Sequence, residues 1–150
     1  MQNNQKYSDI LNLVKTKEDY LTLTNELNLL SAAIYELQAE NFTQVMSEVS
    51  LPTSSLIKNF LPTTEKGVVI EALKKELTTI QFMEITLAKT PSQKLVDTIL
   101  SWLSDKVSQK VALDITINPL LIGGATISFA GKFFDGSLLL KLENILKNYH

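Results

Sequence analysis

The chain has 150 residues, a formal net charge of -2 and 45% hydrophobic side chains, the composition of a globular protein able to bury roughly 70% of the surface its unfolded chain exposes. Its 14 basic residues are all Lys and are scattered, which argues against a nucleic-acid-binding face or a polybasic membrane patch. With no Cys, the sequence excludes disulfides, thiol nucleophiles and Cys-ligated metals.

In chain order, residues 8 to 62 read as helical. Ile10, Leu11, Leu13 and Val14 form a short amphipathic stretch. Tyr20, Leu23, Leu27, Leu30, Ile34 and Leu37 then recur at steps of three and four, one stripe of a helix. Thr16 is placed to cap that helix, with Asp19 at the third position. Phe42, Val45, Met46 and Val49 predict a further helix. Pro52 and Pro62 punctuate the chain, and the turn-forming run Leu61–Gly67 predicts a boundary between a helical bundle, residues 1–63, and residues 64–150. A linker helix is expected from Val68 to Thr79.

The period then changes from helical to alternating. Met83, Ile85 and Leu87 alternate with Glu84 and Thr86, the pattern of a strand. Thr90-Pro91-Ser92-Gln93 predicts a helix start with Thr90 as the cap, and Val96, Ile99, Leu100, Leu103 and Val107 share one face of that helix. Val111, Leu113, Ile115 and Ile117 alternate with Ala112, Asp114 and Thr116, which predicts a strand with one buried face. Gly123-Gly124 opens another strand, read as a special backbone shape or close approach, and Gly131-Lys132 reads as a hairpin turn. Asp135-Gly136-Ser137 is read as the cap of a last helix carrying Leu138, Leu139, Leu142, Ile145 and Leu146. The expected class is α+β: a helical bundle followed by a small α/β domain of order strand, helix, strand, strand, short strand, helix.

Catalytic constellations are not visible. The single His is the terminal His150, so neither a Ser-His-acid triad nor a zinc site can be assembled from rigidly held residues. Glu18-Asp19 suits the first turn of a helix. Gly131-Lys132 is separated from Gly124 by six residues and precedes Phe133, which is the wrong spacing and the wrong final residue for a phosphate loop. No catalytic, cofactor-binding or metal-ligating residue is therefore predicted, and no cofactor. The N-terminus lacks a signal-peptide pattern and no run reaches the ~20 apolar residues of a span. A cytoplasmic chain that meets a membrane only through protein partners is expected.

The segment from Ile117 to Ser137 resembles the C-terminal signature of the F-type ATP synthase delta subunit family, called OSCP in mitochondria. The matching residues are Leu121, Ile122, Gly123, Gly124, Gly131, Asp135, Gly136 and Ser137. The resemblance covers roughly residues 80–148. Two features depart from the family pattern. Lys141 stands where the family's last helix bears Arg, and the N-terminal part is shorter than the family's six-helix bundle and lacks its Tyr-Ala-x-Ala-Leu opening.

The resemblance implies a non-catalytic stator subunit of the proton-translocating complex. Its bundle would grip the N-terminal helix of an alpha subunit, with Tyr20, Leu23, Leu27, Leu30, Ile34 and Leu37 as the candidate head-binding helix. Its C-terminal domain would hold b-type stalk subunits. Peripheral association with the cytoplasmic face of a bacterial cell membrane follows from that place in the complex. The alternatives are an E-type stalk subunit of a V/A-type ATPase, whose long charged opening helix is absent from residues 1–62, or an unrelated small interaction domain.

Overall fold

A computed structural model describes residues 6–35, 39–121 and 124–136. The expected Leu37, Ile122, Gly123 and Ser137, together with the last helix and its Lys141, lie outside the described residues. A short 3-10 helix, Ser8–Leu13, opens the fold. It is followed by α1 (Lys17–Tyr35), α2 (Ala39–Glu48), α3 (Leu51–Phe60), α4 (Lys66–Leu77), β1 (Gln81–Leu87), α5 (Gln93–Lys106), β2 (Val111–Ile117), β3 (Ala125–Phe129) and β4 (Lys132–Gly136). The α+β class matches the expectation, as does the order of strands and helix from β1 to β4.

Two compact units result. One comprises Met1–Val14 and Glu18–Ile80, the other Lys15–Lys17 and Gln81–His150. The division falls at Ile80 rather than within Leu61–Gly67. The Pro-containing turn ends a helix without ending the unit: the N–H groups of Leu61 and Thr63 close onto the carbonyls of Ile57 and Phe60, each at 3.2 Å. Helix α4 then buries Val69, Ile70, Leu73 and Leu77 and packs against the 3-10 helix and α3.

In the helical unit the stripe on α1 forms part of the core. Leu23, Leu27 and Leu30 are buried, joined by Ile10, Val14, Ile57 and Phe60. Tyr7 packs its ring 4.9 Å from that of Phe60. Helix α3 begins at Ser50 with Pro52 in its first turn, where a missing N–H costs nothing. Its N-cap residue Ser50 and its Thr53 hydroxyl are held from α1. The Glu26 carboxylate accepts from the Ser50 N–H at 2.8 Å, from Ser50 Oγ at 3.1 Å and from Thr53 Oγ1.

The second unit is a mixed sheet of order β2-β1-β3-β4. Strands β1 and β2 are parallel, with Met83 opposite Leu113 and Ile85 opposite Ile115, while β3 runs antiparallel to β1 and to β4. Parallel neighbours need a crossover, and α5 supplies it. Its cap is Ser92, not Thr90: Ser92 Oγ accepts from the Leu95 N–H at 3.2 Å. Pro91 therefore precedes the cap instead of opening the helix. Val96, Ile99 and Leu103 pack on Met83, Ile85, Val111, Leu113 and Ile127. Burial on β2 fades along the strand, so Ile117, expected inside, is 41% exposed.

The β3–β4 turn is Ala130-Gly131, with φ of 50° and 75°. Positive φ at both central residues suits a tight hairpin, and Lys132 is the first residue of β4, opposite Phe129. Asp135 and Gly136 finish β4 opposite Thr126 and Ala125, and Ser137 and the helix they were expected to open lie outside the described residues.

Candidate partner-binding surfaces

Of the predicted head-binding side chains, Leu23, Leu27 and Leu30 are buried and Tyr20 and Ile34 are half-buried. The stripe is consumed in holding the helices together, as amphipathic stripes on bundle helices are. What α1 shows to solvent is a different set that the periodicity does not pick out. Leu21 is 52% exposed, Leu29 59% and Tyr35 71%. The signal for these was present as apolar residues lying off the stripe. Ile34 also lines a shallow open concavity of about 640 Å³ with Leu61, Thr63, Thr64, Glu65, Lys66 and Gly67. The same turn that looked like a domain boundary thus builds a surface feature of the helical unit.

Of the described signature residues, Leu121, Gly124, Asp135 and Gly136 lie toward one end of the sheet and Gly131 turns the hairpin at the other. Asn118 donates its N–H to the Leu87 carbonyl at 2.8 Å, and its Oδ1 accepts from the Leu120 N–H at 3.1 Å, which turns the chain out of β2. Leu120, just before the half-buried Leu121, is 86% exposed. Gly124 does not require its missing side chain. A Cβ there would stand 3.8 Å from the Gly136 carbonyl oxygen, an ordinary contact. Backbone conformation demands glycine instead at Gly131 and at Gly136, whose φ is 141°. Asp135 is exposed. On the outer face of α5, Lys94, Asp97, Thr98, Ser101, Trp102 and Asp105 line a second shallow concavity of about 670 Å³.

Two ion pairs in this unit are made by Lys15 and Lys17, which no sequence pattern singled out. Lys15 Nζ lies 2.8 Å from Asp97 Oδ1, and Lys17 Nζ 2.6 Å from Asp114 Oδ2. The hydrogen bond to Asp114, and then its charge, raise the Lys17 ammonium above its ordinary range. Hydrogen bonds from Lys15 and from Gln93 hold the Asp97 carboxyl low. Partial burial, followed by the nearby positive charge of Lys15, lowers Lys110.

Among the described residues there is no group of three or more His, Asp or Glu side chains able to hold a metal. No described helix is long and apolar enough to cross a membrane. Both concavities are shallow and lined by mixed polar and apolar residues.

The family described as ATP synthase delta (OSCP) subunit matches residues 4–148. The chain belongs to this family. The match extends over the helical unit as well as the C-terminal signature, and it selects the delta family over the E-type stalk subunits. Among curated relatives, an ATP synthase subunit delta from Mycoplasma capricolum subsp. capricolum is 40% identical over 85 residues, covering 53% of this chain and 46% of that protein. One from Methylobacterium nodulans is 36% identical over 74 residues, covering 49% and 39%. The chain thus spans less than half the length of these delta-family relatives. A chain in the cryo-EM structure of the Toxoplasma gondii mitochondrial ATP synthase hexamer aligns over 99% of this chain and 97% of its own length at 9% identity, with a TM-score of 0.36, a likeness too remote to build on.

Proposed function

We propose that this chain is a non-catalytic stator subunit that ties the catalytic head of an F-type ATP synthase to its peripheral stalk. The observation that carries this reading is the match to the delta family over residues 4–148. The division into two compact units supports it, since a tether between two partners needs two surfaces. The helical unit is assigned to the N-terminal helix of an alpha subunit. Its exposed Leu21, Leu29 and Tyr35, and the concavity at Ile34 and Leu61, offer the apolar area that helix docking uses. The sheet unit is assigned to the end of a b-type stalk, through the region of Leu120, Leu121 and the outer face of α5. Association with the cytoplasmic face of the membrane is then indirect, through the complex.

Such a tether works by summed contact area and requires no reacting group. Titration of the full chain with the host's alpha N-terminal peptide, and separately with a soluble b fragment, tests the reading. Saturable binding of each is expected. Failure to bind either at concentrations well above micromolar would leave only a shared fold.

A further inference from the structure

The connection between α5 and β2 builds a small cavity within the sheet unit. Leu100, Leu103 and Val107 at the end of α5 and Val111 at the start of β2 supply its apolar walls, and Ser104 and Lys110 are among the polar residues that complete the lining. Its volume is about 210 Å³, below the roughly 300–1,000 Å³ of sites that take drug-sized ligands. Lys110 is fixed in place by its backbone, whose carbonyl accepts from the Gln81 N–H at 2.9 Å.

The charge on Lys110 is poorly supported. Lys15, Lys17 and Lys74 pair with carboxylates, and Lys6 and Lys66 lie over aromatic rings. Lys110 is half-buried, and among the described residues no carboxylate stands within ion-pair distance of it. The neighbouring charge that acts on it is the like charge of Lys15. Burial and a nearby cation both penalise the ammonium, and both penalties end once the nitrogen is neutral. They also leave more of the amine unprotonated, which is the form that attacks a carbonyl carbon. The surroundings of Lys110 therefore favour both the attack and an uncharged product.

We propose that Lys110 is an acylation site for small aliphatic acyl groups carried as thioesters. The neutral amine nitrogen attacks the thioester carbonyl carbon. The C–N bond forms, the C–S bond breaks, and the thiol leaves with the proton that the nitrogen gives up, so no further reactant is needed. The resulting amide carries no charge to oppose Lys15. The walls formed by Leu100, Leu103, Val107 and Val111 offer apolar cover to a chain of a few carbons.

The full, unaltered chain is treated with the butyryl thioester of N-acetylcysteamine in mildly alkaline buffer, and acylation of each lysine is followed by quantitative peptide mass mapping. The exposed Lys58, Lys75 and Lys89 serve as internal references. The expected initial rate at Lys110 is at least about threefold above theirs. In guanidinium chloride, where the cavity is lost, the four lysines should react at similar rates. A folded-state rate at Lys110 equal to or below those of the exposed lysines would overturn the proposal. A preference that survives unfolding would overturn it too, because the cavity and the neighbouring cation would then play no part.

Discussion

Gly136 holds a φ of 141° at the end of β4, a conformation that side chains other than hydrogen resist. Gly124, its neighbour across the sheet, has ordinary space where a Cβ would stand. The two glycines of the signature region therefore differ in kind. Gly136→Ala is expected to cost about 1–3 kcal/mol in denaturant unfolding, and Gly124→Ala less than about 0.5 kcal/mol. The reverse order would refute this assignment of the strain. The sequence showed glycine at both places but not which one needs it, since φ depends on how the strand ends. Ala130 illustrates the opposite problem. It takes φ of 50° in the hairpin without the residue type that announces such a turn, so the turn was read one residue late. Among charges, the links from Lys15 to Asp97 and from Lys17 to Asp114 join residues far apart in the chain, and no local pattern encodes them.

At the scale of elements, periodicity was sufficient wherever a whole face is buried. Strand β2 runs from Val111 to Ile117 as the alternation predicts, and α5 packs on the sheet with the residues its spacing selects. Starts of helices were less legible because caps can come from elsewhere. Thr90, Ser92 and Pro91 all suit a helix start, and the backbone bond to Leu95 decides for Ser92. Helix α3 is met by Glu26, twenty-four residues before Ser50, an arrangement visible only after folding. Because Thr53 is almost fully buried and shares that carboxylate, its hydroxyl has much to lose. Glu26→Ala is predicted to destabilise the helical unit by about 1–3 kcal/mol, the cost of losing the hydrogen bonds its carboxylate accepts from Ser50 and from the buried Thr53. Calorimetric or denaturant unfolding measures this, and a change within about 0.5 kcal/mol, as for an ordinary surface site, would contradict it.

At the scale of the molecule, class and element order could be read from the sequence, whereas the division of the chain could not. Pro62 and its turn interrupt the apolar pattern, yet α4 buries Val69, Ile70, Leu73 and Leu77 within the helical unit. Composition marks where a helix stops; which core the next helix joins depends on tertiary packing. Three residues near the N-terminus, Lys15–Lys17, were likewise invisible as part of the sheet unit. The candidate surfaces follow the same logic. The α1 stripe was legible as a stripe, but its burial left Leu21, Leu29 and Tyr35 as the accessible apolar set. A tether acts only if both partners are held at once. Sedimentation of the full chain with the host's alpha N-terminal peptide and soluble b fragment tests this directly. The account predicts one ternary complex, with each partner's affinity little changed by the other. Displacement of one partner by the other would contradict it.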